Sequence, residues 1–126
     1  MSVLTAFNNH FEELLNDVVR VFPDDMEIAT AAKALGKLRK ANPRLIILTF
    51  KEHVRIPYGS QIAEGNLDFF LEKDYAQDLE GSSQASVILS KIDKIKEPIR
   101  NMEPEEKAKV LGYMKNLCQI CDLYNN

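Results

Sequence analysis

The chain has 126 residues, a formal net charge of −3, 45% hydrophobic residues and 28% charged ones. That length suits one domain spanning 1–126, and a domain of this size buries about two-thirds of its unfolded surface, enough for a core without disulfides or metal. The charge balance excludes a generally basic nucleic-acid coat, no apolar run of about 18 residues offers a membrane span, and two cysteines are too few for a disulfide scaffold. With no basic-then-apolar leader, the chain is expected to be soluble and intracellular.

Apolar residues at Leu4, Phe7, Phe11, Leu14, Leu15, Val18 and Phe22 step by three and four, which predicts a first helix with one buried face. Asn8, Glu12, Glu13, Asn16 and Arg20 fall off that face. Pro23 stops the helix at Phe22, because a residue before proline avoids the helical region. Asp24 and Glu27 have the spacing of a capping box. A second helix follows, with Ile28, Ala31, Ala32, Leu35 and Leu38 inward. Gly36 inside it costs about 1 kcal/mol relative to alanine and suggests close packing against a neighbouring helix.

Asn42-Pro43 reads as the start of a third helix, with Asn as N-cap and Pro at the first position. The run from Leu45 to Phe50 is short and apolar enough for a buried strand. The Asn-Pro start, the step of four from Phe50 to Val54 and the lack of a second strand to pair with favour a helix. Being apolar on most sides, it is expected to be the most buried element. From Ile56 to Ser83 the chain reads as irregular, with Pro57, Gly59, Gly65 and Gly81 leaving short turns at 58–64 and 67–71. Its aromatics, Tyr58, Phe69, Phe70 and Tyr75, are expected to plug the bundle. Ser82 and Ser83 then cap a helix carrying Val87, Ile88, Ile92 and Ile95, which Pro98 ends or kinks.

The last helix opens at 103–106, with Pro104 at its first position and acids in its first turn. Val110, Met114, Leu117, Cys121 and Tyr124 form a seam fit for a core or a partner helix; Leu111 and Cys118 widen it, which favours a core. The expected fold is therefore all-α, a single-domain helical bundle of four long helices plus one or two short ones. Its core is expected to hold Phe11, Leu15, Ile28, Leu35, Ile46, Phe50, Ile88, Ile92, Val110, Met114 and Leu117.

Chemistry-bearing patterns are sparse. Cys118 and Cys121 make a C-x-x-C near a helix C-terminus, where the dipole opposes a thiolate, so core thiols are favoured over a redox pair or a metal site. His10 and His53 stand apart and read as surface or packing residues. No nucleophile elbow, phosphate loop, dinucleotide fingerprint, zinc-protease string or calcium loop occurs. The acid pairs Asp24-Asp25 and Glu105-Glu106 sit in helix first turns, where capping explains them. The expectation is a protein that is not an enzyme, with no cofactor, no metal and no catalytic residues.

Charge is segregated. Residues 33–55 carry seven bases and one acid, a balance of +6, whereas 64–80 and 12–27 each carry six acids and one base, a balance of −5. Neutralisation within the fold is one reading. A two-signed surface that orients docking is the other. Nucleic-acid binding through 33–55 is a weaker one, because exposed aromatics are not interleaved there and the acids would repel phosphate. The candidate partner contacts are Lys33, Lys37, Lys40 and Arg44 on the basic side, Glu72 and Asp74 on the acidic side, and Phe69 and Phe70, which as neighbours cannot both face one core seam squarely. The seam of the last helix is the next candidate.

The string at 7–25 (FNNHFEELLNDVVRVFPDD), the segments at 41–45 (ANPRL) and 54–58 (VRIPY), and DFFLEKDY at 68–75 resemble the small helical proteins encoded by large double-stranded DNA viruses of algae and protists. The resemblance runs over most of the chain, and its motifs are caps, turn residues and core aromatics. It implies a structural protein of the virion, a minor capsid protein beneath the major shell. Its implied partners are other viral proteins, with a homo-oligomer as a further option, and its implied places are the virion and the host cytoplasm during infection. The alternative is an infection-stage adaptor that binds a viral or host protein.

Overall fold

A computed structural model describes residues 2–73 and 84–124. Every regular element among them is a helix: α1 (Val3–Val21), α2 (Met26–Ala41), α3 (Leu45–Phe50), a π-helical stretch (Lys51–Arg55), α4 (Ile56–Ala63), α5 (Asp68–Glu72), α6 (Gln84–Arg100) and α7 (Pro104–Leu123). The all-α expectation holds. All eleven side chains expected in the core are buried, and they belong to one continuous apolar cluster. Helix α1 packs on α7 and α2, α2 packs on α6, α3 packs on α6, and the π-helical stretch packs on α7. At the centre the Phe7 ring lies parallel to Phe11 at 6.3 Å and meets Phe50 edge-on at 5.2 Å. The core thus joins the first and third helical segments through aromatic contacts.

The helix boundaries show what local signals decide. Ser2 caps α1 by accepting from the Thr5 backbone N–H at 3.0 Å. Helix α2 is capped by Asp25, one residue later than the capping-box spacing predicts. Asp25 Oδ1 accepts from the backbone N–H groups of Glu27 and Ile28, while the Asp25 N–H bonds back to the Phe22 carbonyl. Pro23 and Asp24 are used up in that turn. The Glu27 carboxylate is therefore free of the cap and accepts from Lys94 Nζ on α6 at 3.0 Å.

Asn42 closes α2 instead of opening α3: its N–H bonds to Leu38 O at 2.8 Å and its own carbonyl accepts from Leu45 N–H. Asn8, expected off the apolar face, is 2% exposed, and its Nδ2 donates to the Pro43 carbonyl at 2.9 Å. One buried amide thus pins the α2–α3 turn against α1 and satisfies a carbonyl that proline leaves at the turn.

The largest departure lies at 56–63, where the irregular stretch does not begin. The helical backbone runs on through Pro57 to Ala63. Proline inside an α-helix clashes with the carbonyl four residues before it. Here the preceding turn is wide: Ile56 N–H bonds to Lys51 O, five residues back. The wider π-turn gives the Pro57 ring the room that an α-turn denies. Helix α4 then stops at Gly65, whose φ of 92° admits glycine. Gly65 N–H bonds to Ile62 O and Asn66 N–H to Gln61 O, the paired bonds of a Schellman close. Asn66 Oδ1 accepts from Asp68 N–H and starts α5.

Pro98 ends nothing at once. Helix α6 continues past it to Arg100, giving up the one N–H bond that Pro98 cannot make. Pro104 takes the first position of α7 behind an extended Glu103, as expected. The seam Val110, Met114, Leu117 and Cys121 is buried in the core, so it offers no face to a partner helix. The Ser82–Ser83 cap and the positions of Tyr75 and Asp74 lie outside the described residues.

Candidate interaction surface

The neighbours Phe69 and Phe70 are split by α5. Phe70 is 5% exposed and packs edge-on to Tyr58 at 6.2 Å, which removes it from the candidate contacts. Phe69, one residue earlier, is 57% exposed. It stands over a shallow groove lined by Tyr58, Asn66, Asp68, Glu72 and Lys73. A five-residue helix cannot hold this posture by its own hydrogen bonds, since nucleating a helix is unfavourable. Side chains of α6 hold it. Arg100 Nη1 donates to Leu71 O at 2.6 Å and Lys96 Nζ donates to Lys73 O at 2.9 Å. Both cations lie where the dipole of α5 is negative.

Lys96 is the residue that sequence reading missed. It is 2% exposed, its Nζ sits 4.3 Å from the Phe70 ring centroid, and it lies 3.4 Å from Asp93 Oδ1. A lysine that deep persists only when its charge is matched on several sides. A signal was present: Lys96 falls four residues after Ile92 and three before Ile99, on the apolar seam of α6.

The charges sort into two groups. The acidic stretch 12–27 is largely engaged inside the fold. Glu12 pairs with Arg39 at 2.8 Å, Asp17 with Arg20 at 2.9 Å, and Glu27 with Lys94 at 3.0 Å. Arg39 also donates to Asn9 Oδ1 at 2.6 Å, and Arg55 grips both carboxylate oxygens of Asp122 at 2.7 and 3.1 Å. The remaining bases of 33–55 behave differently. Lys33, Lys37, Lys40, Arg44 and Lys51 are exposed and form no ion pair among the described residues. On the acidic side Glu64, Asp68 and Glu72 are likewise exposed and unpaired among them. Internal neutralisation thus accounts for the first acidic stretch and leaves a basic face and an acidic face at the surface.

The other chemistry-bearing residues are placed as follows. Cys118 and Cys121 are free, buried thiols in the core face of α7. Burial raises both, pushing Cys118 up to about 11 against the pull of Arg55. His10 lies against Tyr113, ring centroids 4.9 Å apart, with Nδ1 3.5 Å from Glu13. Burial, then the charges of Asp17 and Glu13, raise the Tyr113 phenol. His53 is half-buried, 4.0 Å from Glu52. Among the described residues no three His, Cys, Asp or Glu side chains stand together in a metal-binding group, and no helix is long and apolar enough to cross a membrane. Comparison of the chain with protein-family models, with curated proteins and with solved structures found no match.

Proposed function

We propose that the chain is a non-enzymatic assembly protein that acts by protein–protein contact and, following the resemblance of its sequence, a minor capsid component lying against other proteins of a virion. The observation that supports this reading best is Phe69. An aromatic ring 57% exposed on a short helix, flanked by the unpaired acids Asp68 and Glu72, has the make-up of an interface anchor with a polar rim. Two α6 cations fix the backbone that carries it, so the ring is presented with little ordering left to do on binding. Buried thiols with raised pKa fit packing better than nucleophilic chemistry.

The test is proteomics of purified particles. Stoichiometric copies of the protein support the capsid reading, and its absence from particles sinks it. Phe69→Ala sharpens the test, since a folded variant with unchanged thermal stability should be incorporated poorly. Recovery of the protein with a partner from infected cells, but never in particles, would move the reading to an infection-stage adaptor.

A further inference from the structure

The outward face of α2 is built as regularly as its inward one. Met26, Thr30, Lys33, Lys37 and Lys40 step by four, three, four and three, and all are exposed, Met26 to 76%. The buried residues Ile28, Ala31 and Leu35 occupy the opposite side. A heptad-like step keeps these five side chains in one stripe along the helix. No acid occurs between Ile28 and Lys51 to neutralise it, and none of its three lysines forms an ion pair among the described residues.

The α5 region carries the converse pattern. Asp68 and Glu72 are one helical turn apart, the same pitch as Lys33 and Lys37, and Phe69 projects beside them. Each face thus offers one exposed apolar side chain, Met26 or Phe69, beside charge of predominantly one sign: three lysines on α2, and the Asp68 and Glu72 pair on α5 with Lys73 at its edge. Lysine stems of α2 can cover an aromatic ring while their heads meet carboxylates. The two faces are on different elements, so one copy can present each to a different neighbour.

We infer that the basic outward stripe of α2 docks on the acidic, Phe69-bearing face of α5 of a second copy of this chain. This names a partner for the contact role proposed above and rests on that reading only in its use of Phe69. One face meets a different face, so the contact either forms twice in a reciprocal two-fold pair or, made once per copy, is heterologous and closes into a ring or propagates from copy to copy. A single helix face against a five-residue helix covers less than a standard interface of about 800 Å² per partner. The contact is therefore weak in isolation, with a Kd between about 1 μM and 1 mM, and gains strength when copies are held near one another.

The experiment is sedimentation velocity of the full chain over a concentration series up to about 1 mM, at ionic strengths of about 0.02 M and about 0.5 M. The expected result is an average mass that rises with concentration at low salt and falls to the monomer at high salt. K33E/K37E and, separately, D68K/E72K abolish the rise. The four-fold swap K33E/K37E/D68K/E72K leaves the net charge at −3 and restores it. Circular dichroism confirms that each variant is folded. A monomer under all conditions overturns the inference, as does association that the charge reversals leave intact or that the swap fails to restore. Stripe-dependent binding to duplex DNA or to an acidic peptide by a chain that stays monomeric also overturns it, in favour of a foreign polyanion. Particle proteomics is read separately, so a monomer found in virions defeats the self-contact and spares the assembly reading.

Discussion

Helices α2 and α6 carry similar cations and use them in opposite ways. On α6, Lys94 reaches Glu27, Lys96 reaches the Lys73 carbonyl and lies over the Phe70 ring, and Arg100 reaches the Leu71 carbonyl. On α2, Lys33, Lys37 and Lys40 reach nothing among the described residues. Composition does not separate the two helices; their surroundings do. Helix α6 lies against the first turn of α2 and the C-terminal carbonyls of α5, which supply negative partners. The outer face of α2 meets solvent. Lys94 and Lys96 of α6 are part of the fold, whereas Lys33, Lys37 and Lys40 of α2 are available to something else.

The strongest way to break this contrast is at the ring beneath Lys96. Phe70→Ala is expected to cost about 3–5 kcal/mol, because it opens a cavity in the core and removes the face on which the ammonium rests. Phe69→Ala, one residue away, should leave the denaturant midpoint close to wild type. Equal losses for the two would mean that α5 does not divide them as described.

Lys96→Ala comes next, at about 2–4 kcal/mol, since it strands the Lys73 carbonyl and empties packed volume. The counterpart on α2, with Lys33, Lys37 and Lys40 all changed to Gln, should shift the midpoint hardly at all. Chemical denaturation of the two variants side by side measures the contrast directly.

The buried thiols give a smaller, pH-dependent effect. Cys118 is raised from an ordinary value of 9.0 to about 11 in the folded chain. Below pH 9 both states hold the proton and nothing is lost. Above it the unfolded chain releases the proton first, so stability falls as pH rises from about 9 towards 11. Denaturation midpoints across that window should decline, and a Cys118→Ser/Cys121→Ser chain should decline less. Native-state labelling of either thiol should be slow, with both reacting on unfolding.

The smallest expected effect separates two glycines. A Cβ at Gly36 would meet only Glu12 Oε1 at 3.9 Å, so the close packing expected there does not exist. Gly36→Ala should stabilise by about 0.5–1 kcal/mol by restricting the unfolded chain. A Cβ at Gly59 would overlap the Arg55 guanidinium. Gly59→Ala pushes the far end of Arg55 off Asp122 and should therefore stabilise less than Gly36→Ala. An equal gain at the two positions would show that Arg55 is not tied to Asp122 in solution.

Periodicity made most of this fold legible. Steps of three and four located α1, α2, α6 and α7, and they placed Phe11, Leu35, Ile92 and Leu117 inside, because burial of a helical stripe is a global demand that local chemistry cannot override. What stayed hidden depended on single atoms. The cap moved from Asp24 to Asp25 because one backbone bond to Phe22 fixed the turn. Pro57 looked like a stop, and a widened turn before it removed the clash on which that reading rests. At the candidate surface the sequence marked Lys33, Lys37, Lys40, Arg44, Glu72 and Asp74, together with both Phe69 and Phe70, as one candidate set. It could not say that Arg39 and Arg55 are consumed inside the fold, since their partners Glu12 and Asp122 lie far along the chain. Nor could it choose between Phe69 and Phe70, which depends on how α6 seats α5.

The π-helical stretch at Lys51–Arg55 also fixes a rotational phase. A π-turn is in effect one residue inserted into an α-helix, and one residue is worth about 100° of helical rotation. Upstream of it Ile46 and Phe50 point into the core; downstream of it Ile62 does. Deleting one residue between 51 and 55 would straighten the rod into a uniform α-helix, bring the Pro57 ring against a carbonyl, and turn Ile62 away from the core. The length of this segment therefore carries information that its composition does not: point substitutions at exposed Lys51 or Glu52 should be tolerated where a deletion beside them is not.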